Sequence, residues 1–308
     1  MSFFSIIIPL YNKEDFIENT IQSVLDQNFQ GFEIIIVNDG STDKSEEKVF
    51  QFNDSRIHYF SKKNEGVSIA RNFGIDKAKA NFITFLDADD YWYPDFLAVM
   101  HQGINDFPNQ KIFSGAIEIE TSRKRFPAQY SVTITNDFQL VNYFKASQKE
   151  SIIWTSCAVF HKSIFEETGN FDPQIKSNQD TDLWIRIGLV YPILFSGKIL
   201  ARYIYDKNSL SRNNNLLNAK MNLLKFIEIE KTNQDLKNIL DLNRFSLAIK
   251  SKLNSDKILF NYYYRGIDLK KIGIKKRFLL LLPPYLLRFL IQLKLTLANL
   301  GLGSSVFK

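Results

Sequence analysis

The sequence predicts an α/β protein whose first half carries a parallel, doubly wound sheet and whose last third is helical. Three observations predict it. Four short apolar runs rich in β-branched residues recur within the first 90 residues, as expected of strands covered on both faces. Segments with apolar residues at helical spacing separate them. Beyond about residue 213 the pattern is mostly helical.

Phe3–Pro9 is the first strand, and Glu14–Gln27 a helix with Phe16, Ile17, Ile21, Val24 and Leu25 on one face. Glu33–Val37 is the second strand. It ends at Asn38-Asp39-Gly40-Ser41-Thr42-Asp43, where Ser41 is placed to cap the next helix. Ile57–Ser61 is the third strand, Lys62–Gly66 a loop, Val67–Ala78 a helix and Phe82–Leu86 the fourth strand. This alternation argues for right-handed parallel crossovers. Ile112–Ile119, Ile152–Phe160 and Ile199–Tyr205 read as further strands, Ser163–Thr168 and Asp180–Val190 as short helices. No internal repeat or low-complexity linker divides the chain.

Its 308 residues are 45% hydrophobic and 23% charged, a composition that folds and builds a sizeable core. The single cysteine, Cys157, excludes an internal disulfide and fits a reducing compartment. Its apolar surroundings favour a buried structural thiol over a reactive one. No signal peptide is read, because the run from Phe3 to Leu10 lacks a basic flank and is broken by Pro9. No stretch reaches the roughly 18 apolar residues of a spanning helix. His58, His101 and His161 fall in no metal-ligand spacing, which argues against zinc.

Asp87-Ala88-Asp89-Asp90 closes the fourth strand. Carboxylates this close repel one another unless a cation or partner offsets them. Hard divalent ions prefer such oxygens and bridge to substrate phosphates. In open α/β sheets ligands bind beyond the carboxyl ends of strands. Aspartates also cap helices and populate turns, so the motif alone leaves both roles open. Asp39, after the second strand, is placed either to accept from a ring N–H or ribose hydroxyl or simply to form a turn before Gly40. A nicotinamide-cofactor site is excluded: the turn Pro9–Glu14 has no glycine where G-x-G-x-x-G is needed. Arg71 lies near a helix start, where a guanidinium can hold diphosphate oxygens or merely face solvent. Trp92 and Tyr93 suit a sugar ring or the core equally, and neither joins the candidate site.

Taken together, Pro9-Leu10-Tyr11-Asn12, Val37–Asp43, Asn64-Glu65-Gly66 through Arg71-Asn72 and Leu86–Asp90 resemble family 2 inverting glycosyltransferases in order and spacing. The resemblance continues to about residue 212. It implies the glycosyltransferase A fold: a Rossmann-like mixed sheet with helices on both faces, plus here a mostly helical C-terminal extension. It further implies a nucleotide-sugar-binding half (1–110) and an acceptor-binding half (111–212); the helical pattern beyond them reads as a C-terminal extension with a basic amphipathic tail (213–308). Carried over by position, Pro9 and Tyr11 line the base pocket, Asp39 reads the base edge and Arg71 approaches the diphosphate. Asp87 lies by the ribose, and Asp89 holds a divalent metal, Mn²⁺ or Mg²⁺.

Asn178-Gln179-Asp180-Thr181-Asp182-Leu183-Trp184 resembles the family's E-D-x-D-L-W segment, which makes Asp180 the expected general base. Asp182 reads as a helix N-terminal acid. Gln179 replaces the family's Glu, removing one negative charge beside the base. Asp206 stands where many relatives have His. The implied activity moves a sugar, hexosyl-type and with inversion, from a UDP-sugar to a hydroxyl of a glycan or lipid-linked acceptor in surface polysaccharide synthesis. Competing readings are an Asp-nucleophile phosphohydrolase and a non-catalytic nucleotide-sugar-binding protein. The first would place D-x-D-x-[TV] after the first strand, and Asp89 with Asp180 argues against the second.

Residues 269–308 hold eight basic residues and no acidic one, so this tail accounts for the net charge of +6 and leaves the body slightly acidic. Leucine-rich segments interrupted by Pro283-Pro284 follow Lys270–Arg277, a pattern suited to lying on an anionic membrane surface. The competing reading is a helix packed on the body with its lysines solvated. Nucleic acid is disfavoured, because these basic residues are not interleaved with stacking aromatics. The expected location is cytoplasmic, peripheral on the cytoplasmic face of the membrane.

Overall fold

The computed structural model describes residues 2–121, 124–204 and 223–299, with side chains to 293. These residues fall in two compact units, one ending at 204 and one beginning at 223.

In the first unit β1 (Phe4–Leu10), β2 (Phe32–Asn38), β3 (Ile57–Ser61) and β4 (Phe82–Phe85) pair in parallel in the order β3-β2-β1-β4. Helices α1 (Ile17–Leu25), α2 (Ser45–Val49) and α3 (Val67–Lys77) make the crossovers. β1 and β2 are buried along their whole lengths, which is why both read as near-continuous apolar runs. Glu33 is tolerated in that interior because Ser5 Oγ (2.6 Å) and Lys79 N (2.8 Å) both donate to it. Gly74 lets α3 approach β1 closely, since a Cβ there would strike Ile7.

The sheet then becomes mixed. β5 (Tyr91–Trp92), α4 (Phe96–Asp106), β6 (Ile112–Glu120), β7 (Arg125–Pro127), β8 (Phe138–Val141) and α5 (Tyr143–Ala146) follow. β9 (Ala158–His161), α6 (Ser163–Thr168), α7 (Gln179–Val190) and β10 (Ile193–Ile204) complete the unit. The order extends as β4-β9-β6-β10-β5, with β7 on β6 and β8 on β10. β9 runs antiparallel to β4 and β6, while β10 is parallel to β6.

Three departures from the sequence expectation have physical causes. The first helix begins at Ile17, not Glu14. The amides of Lys13 and Glu14 are instead held by Ser45 Oγ (2.8 Å) and Asp43 Oδ2 (3.0 Å). Ser41 does not cap α2. Its hydroxyl accepts from Asn12 N at 3.0 Å, and the helix starts at Ser45. The strand expected from Ile152 starts only at Ala158, because Thr155–Cys157 form a short 3₁₀ turn. Cys157 is buried, and burial pushes its thiol up, as suits a structural residue.

The second unit comprises α8 (Ile227–Glu230), α9 (Gln234–Leu253), α10 (Lys257–Arg265), α11 (Ile274–Leu281) and α12 (Pro284–Asn299). Asn233 and Asp256 cap α9 and α10 through their side chains. Buried Arg244 ties α9 to α8 by a two-pronged contact with Glu230 (2.7 Å each) and also meets Asp241 at 3.0 Å. Among the described residues no helix is long and apolar enough to cross a membrane.

Candidate active site

β1, β2 and β4 run parallel, so their carboxyl ends share one edge of the sheet, where the Asp87–Asp90 segment follows β4. It is a turn, closed by Asp90 N donating to Asp87 O at 2.9 Å. Its three carboxylates have separate surroundings. Asp87 is half-buried and takes Arg71 Nη2 at 2.5 Å, while its amide donates to Ser156 Oγ at 3.1 Å. Asp89 meets Lys13 Nζ at 2.6 Å. Burial raises the Asp89 carboxyl, Lys13 counters that, and the neighbouring Asp87 charge adds to it.

Asp90 is buried and holds the turn in place. Ser156 Oγ donates to it at 2.5 Å and Ile204 N at 3.3 Å, while Thr20 Oγ1 donates to its carbonyl at 2.8 Å. Burial, then the charges of Asp89 and Asp87, push its carboxyl well up. The 3₁₀ turn before β9 therefore has a task. It brings Ser156 to bridge Asp87 and Asp90, and its carbonyl accepts from Trp92 Nε1 at 2.5 Å. Trp92 is thereby a core residue, and Tyr93 OH donates to Glu118.

Arg71 is buried on α3, with its guanidinium 5.1 Å from the ring centre of Phe171. Only Nη2 is used; Nε and Nη1 are buried without a hydrogen-bond partner. Buried donors left unpaired are costly, so this arginine is suited to an added acceptor. Asn72 fixes the neighbouring chain by donating to Phe171 O (2.8 Å) and accepting from Phe171 N (3.1 Å). The segment that follows leads to α7, whose first turn carries Asp180. Its Oδ1 accepts from Thr181 N at 2.7 Å. Burial raises its carboxyl; the Arg71 charge opposes this and Asp87 adds to it. Asp180 thus shares one electrostatic neighbourhood with the Arg71–Asp87 pair.

Asp39 lies at the end of β2, buried, with its carboxylate engaged. It accepts from Lys62 Nζ (2.8 Å), Glu65 N (3.0 Å) and Gly66 N (2.8 Å). Pro9 is buried within β1, while Tyr11 is half exposed just beyond it. Asp182 is buried and takes Arg186 Nε at 3.0 Å. Asp206 lies outside the described residues.

Sequence reasoning passed over Lys13, Tyr91, Glu120 and Arg202. The Arg202 guanidinium sits 4.4 Å over the Tyr91 ring and 2.9 Å from Glu120, close to the turn that ends at Asp90. Lys13 follows the Pro9–Asn12 motif directly, the one signal that could have singled it out. A separate cleft of about 760 Å³ lies between α4 and β10 and contains none of these residues.

The family model described as glycosyl transferase family 2 matches residues 5–169. The chain belongs to that family. An uncharacterized glycosyltransferase of Rickettsia felis is 31% identical over 225 residues, covering 71% of this chain and 37% of that protein. The putative teichuronic acid biosynthesis glycosyltransferase TuaG of Bacillus subtilis is 29% identical over 222 residues, covering 68% and 81%. The chain spans about a third of the length of the first curated relatives it matches.

Among solved structures, S. aureus TarS superposes with a TM-score of 0.62 at 18% identity, over 88% of this chain and 50% of that one. TarS 1–349 in complex with UDP-GlcNAc gives 0.57 at 16%, over 91% and 78%. GalNAc-T7 with UDP, GalNAc and Mn²⁺ gives 0.55 at 15%, over 70% and 48%. At these identities the likeness establishes the fold, a mixed glycosyltransferase A-type sheet with helices. A helical C-terminal region accompanies that sheet in this chain.

Proposed function

We propose that this family 2 member is an inverting, metal-dependent transferase that moves a hexosyl group from a UDP-sugar to a hydroxyl of a glycan or lipid-linked acceptor. Residues 1–110 take the donor and 111–212 the acceptor, in surface polysaccharide synthesis on the cytoplasmic side. The observation that carries this reading is the Arg71–Asp87 pair at the end of β4, with buried, unpaired Arg71 donors beside it and the charges of both residues felt at Asp180. This supports a role for a carboxylate of the second half of the unit beside the donor groups of the first.

In this reading Tyr11 stacks on the base at the rim of Pro9, and Asp39 turns from its loop amides to the base edge. Asp87 takes a ribose hydroxyl, and Arg71 spends its unpaired donors on diphosphate oxygens. Asp180 removes the proton of the attacking acceptor hydroxyl as the new bond forms, opposite the departing nucleotide. Its raised carboxyl makes it a stronger base than an ordinary aspartate.

Asp89 and Asp87 suit a hard cation: both donate carboxylate oxygen, and the cluster already carries an ammonium as counter-ion. Among the described residues no group of three His, Cys, Asp or Glu side chains is arranged to hold a metal ion by itself, so diphosphate and water would complete the shell. When bound, such an ion supplies Lewis-acid stabilisation of the leaving diphosphate. The GalNAc-T7 complex with Mn²⁺ and the TarS complex with UDP-GlcNAc support this assignment by fold.

Two measurements follow. A thermal-shift screen of nucleotide-sugars with and without Mn²⁺ should show UDP-sugars raising Tm far more with the ion than without it; ~2.7 kcal/mol is expected at a hundredfold excess over Kd. Equal shifts from every nucleotide would count against a UDP site. Lys13→Gln should tighten Mn²⁺ binding to the nucleotide-free protein about fivefold, since the Lys13–Asp89 pair, largely but not wholly buried, is worth on the order of 1 kcal/mol. Weaker Mn²⁺ binding would show that Lys13 does not compete at Asp89.

A further inference from the structure

We infer that the second unit docks on an anionic bilayer surface through the outer sides of α11 and α12. This goes beyond the transferase reading and does not depend on it. Each helix uses one stripe to pack against α9. Leu280 and Leu287 are buried, Lys252 Nζ donates to Leu280 O, and Arg288 Nη2 donates to Leu253 O at 2.6 Å.

The outward side of α11 would ordinarily be polar. Here Ile274, Phe278 and Leu281, spaced i, i+4 and i+7, are 80%, 58% and 72% exposed. Tyr285 and Phe289, one turn apart on α12, are 69% and 60% exposed. Successive large apolar side chains facing water mark an interaction surface.

The charge beside them selects the occupant. Lys270, Lys271 and Lys275 are exposed at the start of α11, and no acidic residue occurs from 269 onward. A second copy would set lysine against lysine across helices that carry no acidic residue of their own. An anionic headgroup layer offers the opposite charge above an apolar interior, which suits a helix lying in the interface. The helices are about 12 and 24 Å long against a hydrocarbon core of about 30 Å, and Pro283-Pro284 separates them, so they lie on the surface and do not cross it.

Vesicle flotation of the full chain tests this, with phosphatidylcholine alone and with added phosphatidylglycerol. Binding is expected only with the anionic lipid and should weaken as salt is raised. Lys270→Ala with Lys275→Ala should weaken it about 25-fold, at about fivefold per charge. The triple variant Phe278→Ser, Leu281→Ser, Phe289→Ser should weaken it on the order of tenfold or more at unchanged Tm. Tyr285→Trp should show a blue-shifted emission on anionic vesicles. Absent flotation, equal flotation on neutral vesicles, or self-association abolished by the triple variant would each overturn the inference. UDP-sugar thermal shifts on the same variants should be unchanged, which separates failure here from failure of the transferase reading.

Discussion

Asn in place of Asp180 should lower sugar transfer on the order of 10²–10⁴-fold while leaving donor affinity unchanged. Asn preserves the acceptor for Thr181 N in the first turn of α7, so the helix start survives and only the basic function is removed. A fall in turnover with no change in donor binding is the signature of a group acting in the transition state. The pH profile adds a second reading. Burial raises the Asp180 carboxyl above its ordinary value of 3.8, with Arg71 opposing and Asp87 adding to the shift. A base must be unprotonated to act, so transfer falls as pH drops through this raised value. The acid limb should therefore lie above that of an ordinary aspartate, and the Asn variant should lose it. Steady-state rates of both proteins across pH check this. A near-normal rate, or an unchanged limb, would remove Asp180 from the role.

Asp89→Ala should abolish the gain in UDP affinity that Mn²⁺ provides. Loss of an outer-shell partner of a metal typically costs about 10–100-fold in affinity, and a direct ligand should cost at least as much. UDP binding without metal should remain, since Asp39, Arg71 and Asp87 are untouched. Bound Mn²⁺ measured by electron paramagnetic resonance, with UDP present, reads the effect directly. An unchanged spectrum would count against Asp89. Asp90 is not an equivalent target. Its buried carboxylate accepts from Ser156 and Ile204, so replacing it loosens the turn and β10 rather than the metal site.

The parallel half of the fold was legible because β1, β2 and β4 are strands whose buried faces leave near-continuous apolar runs. β5 has two residues and β7 three, too short to show any period. β10 was read only from Ile199 because the register shifts on either side of that residue break its alternation. α4, by contrast, carries a clear helical period, with Phe96, Leu97, Met100 and Ile104 buried.

At the site, Asp39, Arg71, Asp87, Asp89 and Asp180 stood out because each sits in a short motif. What those motifs cannot carry is pairing across the chain. Lys13 reaches Asp89, Ser156 joins Asp87 to Asp90, and Arg202 covers Tyr91, all through tertiary contacts. The three adjacent aspartates look alike in sequence. Only the packing of Ser156 and Ile204 makes the third one structural.

The most direct test is calorimetric titration of UDP into the full chain, once with Mn²⁺ and once with the ion chelated. If the Asp87–Asp89 turn and Arg71 together seat a metal–diphosphate pair, tight binding appears with the ion and weakens severely without it. Equal affinity in both titrations would contradict the account.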